Sequence, residues 1–263
     1  MERDTVAYLC DRWALLPEGP RIATASSTLV PVQRGAGRAM LKLAHTMEEA
    51  RGGRLMQWWG GDGAAPVLAR HGSALLLARA TGGSLAALGD DFATLVLVQV
   101  AARLAGAGSG PPPGLVALRR WFRALWPAAR HHGGVLAEAA AIAMVLLDTS
   151  RDEGVLHGDL HHGNVLDFGP DGWLAIDPKG LWGERGFEFV ALFRNPDAAR
   201  VLAPGRLACE ATRVAELAGL DRARLLGWVA AGAALAAAWT LSDGGDPDAD
   251  LALIRLALAA RGS

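Results

Sequence analysis

The segment His157-Gly-Asp-Leu-His-His-Gly-Asn164, continued by Val165-Leu-Asp-Phe-Gly-Pro-Asp-Gly-Trp-Leu-Ala-Ile-Asp177, gathers the side chains of this sequence best suited to handling a phosphate. Asp159 stands shortly before Asn164, and a strong turn signal, Gly169-Pro170-Asp171-Gly172, separates two apolar, strand-like runs. With Pro170 and Asp171 at the centre of that turn, antiparallel pairing sets Asn164 directly opposite Asp177. An amide oxygen and a carboxylate then share one end of a hairpin, with Asp159 on the loop that leads into it. Such a set suits a hard cation carrying phosphate oxygens, beside a base that orients a hydroxyl. His157 and His161 are spaced as zinc ligands are on a helix. However, Gly158 and Gly163 oppose a regular helix, and no glutamate follows His161 as a third ligand or base. The preferred reading is that His157 hydrogen-bonds the loop backbone and holds Asp159 in place.

The bulk properties narrow the class. A chain of 263 residues can bury a substantial core, as one domain or two small lobes. With 51% hydrophobic residues and a net charge of −1, neither disorder nor a nucleic-acid-binding surface is indicated. Cys10 and Cys209 are isolated, which fits a reducing compartment. The charged start shows no signal-type apolar run, and the apolar stretch Val229–Trp239 is too short to span a bilayer. The expectation is a cytoplasmic protein with no membrane partner.

The spacing H-x-D-x-x-x-x-N with a following aspartate is that of the protein-kinase catalytic loop, and Asp177-Pro-Lys-Gly180 stands where those enzymes have D-F-G. The form H-G-D-L-H-x-x-N…I-D resembles the aminoglycoside phosphotransferase branch of the kinase-like fold. HGDLHHGN, GWLAIDPKGLWGERGF and LFRNP are similar to the streptomycin 6-phosphotransferase and hydroxyurea phosphotransferase group. Close resemblance covers about residues 155–197, and looser agreement extends over most of the chain.

The elements that must position these groups can be read in outline. Residues 1–16 form an amphipathic helix stopped by Pro17-Glu-Gly-Pro20, and the stretch Ile22–Leu43 reads as three strands joined by turns. Lys42 lies in an apolar strand, where a lysine either snorkels to a sheet edge or meets a partner. Thr46-Met-Glu-Glu49 has the form of a capping box opening a helix. Two further strands, around Val67–Ala69 and Ala74–Ala78, precede a half whose helices fall near 84–105, 115–130, 135–149, 206–219, 221–240 and 247–260. Gly106–Gly114 is a connector, since its prolines leave few amide donors for phosphate. Five strands followed by a helical half indicate an α+β, two-lobed fold; the resemblance implies a protein-kinase-like one, with a nucleotide-binding lobe over 1–79 and a catalytic, substrate-binding lobe over 80–263.

By the same resemblance, ATP and Mg²⁺ are the cofactors and Asp159 is the base. Asn164 and Asp177 hold the metal, and Lys42 contacts the ATP phosphates. Glu49 is the partner of Lys42, with Glu48 in reserve, although Glu49 can equally cap its own helix. Ser26 and Ser27 resemble the serine-bearing nucleotide loop of aminoglycoside kinases, and the backbone around Ala78–Ala80 matches the hinge that meets adenine. For the acceptor, Glu184 and Glu188 follow Asp177 closely and would attract a cationic small molecule. Asp243, Asp246, Asp248 and Asp250 read as a solvated loop and helix start. The implied reaction is phosphorylation of a hydroxyl of streptomycin or a related aminocyclitol. The rivals are hydroxyurea or an unidentified metabolite as acceptor and, in another class, a nucleotide-binding regulator without turnover.

Overall fold

The computed structural model describes residues 2–110 and 112–262. Met1 and Pro111, which belong to the predicted first helix and connector, lie outside the described residues, as does Ser263. Helix α1 (Glu2–Trp13) packs its Val6 and Leu9 into the core of a six-stranded sheet built from β1 (Leu15–Pro17), β2 (Ile22–Ala23), β3 (Ser27–Arg34), β4 (Gly37–Ala44), β5 (Val67–His71) and β6 (Ala74–Ala78). The strands run in the order β1-β3-β4-β6-β5, with β2 paired to β3. The sheet has one strand more than the sequence pattern suggested. Leu15–Pro17, read as the end of the first helix, instead pairs antiparallel with Val32–Arg34, because Ala14 turns the chain through a positive φ of 52°.

Helix α2 (Met47–Trp59) starts only two residues after β4 ends. Thr46 Oγ1 accepts from the Glu49 amide at 3.2 Å, and Gly60 closes the helix in the left-handed conformation. Its inner face reaches the other lobe at Gly52, where any Cβ would overlap the Pro178 carbonyl oxygen. Glycine at this position lets the helix lie directly on the segment that follows Asp177.

The second lobe is mainly helical: α3 (Asp90–Gly106), then β7 (Val116–Ala117), α4 (Leu118–Trp121), α5 (Leu125–His132) and α6 (Gly134–Asp148). After β8 (Glu153–Leu156), β9 (Val165–Asp167), β10 (Trp173–Ala175) and β11 (Leu181–Glu184) come α7 (Val190–Phe193), α8 (Ala198–Val201), α9 (Arg206–Ala218), α10 (Arg222–Ser242) and α11 (Asp248–Arg261). The helix predicted over 115–130 is broken. It begins as β7, which pairs in parallel with β11, and turns through a 3₁₀ segment at Phe122–Ala124. Helix α10 is 21 residues long and apolar enough to cross a bilayer, longer than the Val229–Trp239 stretch suggested, but most of it is buried inside this lobe. Its Trp228 is fully buried against Phe122 and Phe187, and aromatic contacts of this kind carry a large share of core energy.

Candidate active site

Two strand pairs aim the reactive groups. β8 and β11 run antiparallel with Leu156 opposite Leu181, so the loop that begins at His157 and the segment that ends at Gly180 emerge side by side. The Lys179 amide donates to the His157 carbonyl at 2.7 Å and ties them together. Gly158 adopts a φ of +82°, and a Cβ there would collide with Leu181.

The second pair, β9–β10, differs by one residue from the sequence expectation. Phe168 and Gly172 bracket a three-residue turn over Gly169–Asp171, and the Ile176 amide donates to the Asn164 carbonyl at 2.9 Å. Asn164 is therefore opposite Ile176, not Asp177. A slip of one residue sends the next side chain to the other face of a strand. Asp177 leaves the strand instead, in the left-handed region at φ 63°, a conformation that costs a non-glycine residue about 1–3 kcal/mol. In that position its carboxylate meets the Lys42 ammonium and lines the same cleft as Asn164.

That cleft, about 480 Å³, runs between the lobes. Lys42, Glu49, Ser26, Ser27, Ala78 and Ala80 all line it, together with Asn164 and Asp177. Lys42 Nζ lies 2.5 Å from Glu49 Oε2, and Ser26 Oγ donates to Glu49 Oε1 at 2.7 Å. The Glu49 carboxylate thus reaches across to strand β4 and not back to its own helix, and only the Glu49 amide takes part in the cap, as a donor to Thr46 Oγ1. Glu48, the reserve partner, faces away towards Lys179 and Arg51. Ser27 is buried with its hydroxyl paired to Thr24 at 3.0 Å, whereas Ser26, bonded to Glu49, is only partly buried. The Ala78 amide donates to the Pro66 carbonyl at 2.9 Å. That amide is therefore not a free donor, and the Ala78 carbonyl and the Ala80 backbone are the hinge groups at this end of the cleft.

Around Asp159 the loop is held from inside. His157 is buried, and its Nδ1 accepts from the Asp159 amide at 3.2 Å, so Nε2 carries the proton donated to the Ile176 carbonyl at 2.8 Å. Burial pushes its pKa down to about 4, with Asp159 opposing, and the ring is neutral at pH 7. Asn164 Nδ2 donates to the Asp159 carbonyl at 3.0 Å, which leaves its amide oxygen for another partner. Burial works to raise the Asp177 carboxyl, but Lys42 and then Lys179 outweigh it and hold the pKa at about 2. An amide oxygen beside a fully ionised carboxylate is a donor set that fits a hard cation.

Sequence reasoning passed over Lys179. Its Nζ lies 3.8 Å from Asp159 Oδ2 and 3.7 Å from Asp177 Oδ2, with Glu48 Oε1 at 3.6 Å. A cation therefore stands between the two key carboxylates. The available signal was its place two residues past Asp177, on a segment already matched to a metal-binding motif.

The two glutamates assigned to the acceptor are elsewhere. Glu184 is buried and held bidentately by Arg224, with both contacts at 2.5 Å, and Trp228 Nε1 donates to it at 3.0 Å. Burial would raise its pKa, but the Arg224 hydrogen bonds override this and lower it. Glu188 lies buried beneath the catalytic loop, where its Oε2 accepts from the His157 amide at 2.9 Å. Burial pushes its pKa up to about 8 against the hydrogen bonds from the His157 and Gly158 amides. Strand β11 and the 3₁₀ turn after it carry both side chains into the lobe interior, so neither presents charge to an acceptor. The open cleft beside Asp159, about 370 Å³, is lined instead by Glu48, Trp121, Lys179, Phe187, Arg194 and Trp239, among others.

A strand lobe over a helical lobe, with a lysine–glutamate pair on one side of the cleft and an Asp–Asn–Asp set on the other, defines a phosphotransferase of the protein-kinase-like fold. A solved structure of a thermostable mutant of the aminoglycoside phosphotransferase APH(4)-Ia, in ternary complex with ADP and hygromycin B, superposes with a TM-score of 0.67 at 18% identity, covering 97% of each chain. The chain belongs to the aminoglycoside/hydroxyurea antibiotic resistance kinase family, whose pattern matches residues 12–244. It is 47% identical to a streptomycin 3''-kinase of Klebsiella pneumoniae over 89% of this chain and 91% of that one. A streptomycin 6-kinase of Streptomyces glaucescens is 32% identical over 98% of this chain and 88% of its own length.

Proposed function

We propose that this enzyme transfers the γ-phosphate of ATP to the 3''-hydroxyl of streptomycin. The observation that carries the choice of acceptor is the 47% identity to a streptomycin 3''-kinase, against 32% to a 6-kinase. The position of transfer thus departs from the 6-phosphotransferase group that the motifs resembled.

Asp159 accepts a hydrogen bond from the acceptor hydroxyl and aligns it for attack. Lys179, placed between Asp159 and Asp177, supplies positive charge where the transferring phosphoryl group carries its negative charge. Lys42 steadies the α- and β-phosphates, and Glu49 and Ser26 hold Lys42 in position from α2 and the turn before β3. The apolar walls of the cleft, among them Leu29, Met40, Leu77 and Phe168, sandwich the purine, and with the Ala78 amide already bonded the Ala80 side of the hinge meets its edge. Asn164 and Asp177 are the residues that would hold Mg²⁺, which when bound neutralises phosphate charge. Trp121 and Trp239, packed edge to face with centroids 5.3 Å apart, offer aromatic faces to a cationic acceptor, and Glu48 adds a carboxylate. Two unpaired cysteines, Cys10 and Cys209, support a reducing, cytoplasmic setting.

Phosphorus and proton NMR of the product made from Mg²⁺-ATP and streptomycin tests the proposal. A phosphate coupled to the 3''-carbon proton is the expected result. Phosphate at position 6 overturns the regiochemistry, and phosphorylation of hydroxyurea in preference to streptomycin overturns the acceptor.

A further inference from the structure

Beside the acceptor cleft, and sharing Glu48, Trp121 and Trp239 with it, lies a second groove of about 710 Å³ that is richer in positive charge. Helix α2 lines it with Arg51 and Arg54, and the segment around α4 lines it with Arg120 and Arg123. Glu48 is the one carboxylate among the residues lining it, 4.0 Å from Arg51 Nη2 and shared with Lys179. Among the described residues, no carboxylate pairs with Arg54, Arg120 or Arg123, whereas neighbouring Arg119 is bound to Asp148. Burial lowers the Arg51 pKa most; Glu48 opposes this, while Arg54 and Arg120 add to the fall, so these guanidiniums lie close enough to repel one another. A chain of net charge −1 thus concentrates unpaired positive charge in one concave place, at a cost in self-repulsion. A cationic acceptor is not served by it.

We infer that this groove is a binding site for a small phosphate-bearing anion, gripped by Arg51 and Arg54 from one lobe and by Arg120 and Arg123 from the other. Guanidinium forks match phosphate oxygens bidentately, and their charge is never titrated away at ordinary pH. The site shares no lining residue with the nucleotide cleft. Because the two arginine pairs belong to different lobes, a bound anion ties the lobes together. The tie extends to the reaction centre, since Arg51 Nε donates to the Lys179 carbonyl at 2.8 Å and Lys179 Nζ stands between Asp159 and Asp177. None of this depends on which acceptor the enzyme uses.

The test is isothermal titration of the full chain with inorganic phosphate while Mg²⁺-AMP-PNP fills the nucleotide cleft, repeated on an Arg120→Gln/Arg123→Gln double variant. The expected result is saturable binding at one site, weakened on the order of 10-fold in the double variant and falling as salt rises. Turnover of the double variant in the absence of phosphate stays at the wild-type level, which also shows that it is folded. If it does not fold, the exposed Arg123→Gln change alone carries the comparison. A parallel titration with phenyl phosphate separates the two sources of the group. Tighter binding than inorganic phosphate identifies an ester as the ligand, and equal binding identifies the free ion. Equal phosphate affinity in wild type and variant, or no saturable binding at millimolar phosphate, overturns the proposal.

Discussion

The two sides of Asp159 are built by different rules. On the nucleotide side, groups from β4, α2, the catalytic loop and the end of the β9–β10 hairpin converge within a few ångströms of Lys42 and Asp177. On the acceptor side, the carboxylates nearest in sequence, Glu184 and Glu188, are turned inward, and the cleft is lined from α4, α7, α10 and α2. Phosphate handling needs fixed charges at fixed spacing, which a short loop and hairpin supply. Acceptor recognition needs a wall of shape and polarity, which in the proposed acceptor cleft distant elements would supply. Carboxylates beside a catalytic loop are as useful for holding structure as for meeting a substrate: here Glu188 holds the loop through the His157 amide, and Glu184 ties β11 to α10 through Arg224.

Substitutions on each side sharpen that contrast. Outside the Asp159–Asn164–Asp177 set, the largest effect belongs to Lys179. Changing it to Met should lower kcat by roughly 10²–10³-fold while the KM for ATP moves little, because its charge matters most during transfer. Steady-state kinetics decide this; an unchanged kcat would remove Lys179 from the reaction. Glu184→Gln should act on stability instead, since it breaks a buried ion pair with Arg224 and leaves the guanidinium uncompensated. A loss of about 3 kcal/mol in denaturant unfolding is expected, with the KM for streptomycin unaltered. A raised KM with normal stability would return Glu184 to the acceptor site.

The smallest effect is a pH dependence at Glu188. Its folded pKa, about 8, exceeds the unfolded value of about 4.3, so between these values the folded state binds the extra proton. Its contribution to stability is therefore fully present below the unfolded pKa and declines as pH rises towards 8. Glu188→Gln should flatten that decline, which thermal unfolding at pH 6 and pH 8 would reveal as a smaller difference between the two pH values than in wild type. An identical pH profile in both proteins would contradict a buried, neutral Glu188.

What could be read from the sequence follows the same division. Asp159, Asn164 and Asp177 were recoverable because a glycine- and proline-marked turn folds a local segment back on itself, and local geometry is written in local residues. The one-residue error in the hairpin register arose because Gly169-Pro170-Asp171-Gly172 permits a three-residue turn as readily as a two-residue one. The left-handed conformation of Asp177, which absorbs the difference, has no sequence signature. Glu49 was placed by the family resemblance, and the short link between β4 and α2 spoke against the pairing that the structure shows. The fate of Glu184 depends on Arg224, 40 residues away on α10, and nothing local announces that partner. Trp121 and Trp239 read as ordinary helix residues until the packing of α4 against α10 brings their rings together.

Everything proposed for the cleft turns on Asp159 directing transfer from ATP to a streptomycin hydroxyl. ADP release measured with Mg²⁺-ATP, with and without streptomycin, in wild type and Asp159→Asn, tests it most directly. Streptomycin-dependent turnover is expected in wild type, with a fall in kcat of roughly 10²–10⁴-fold in the variant and ATP binding retained. Normal turnover in Asp159→Asn, or wild-type ADP release indifferent to streptomycin, would contradict it.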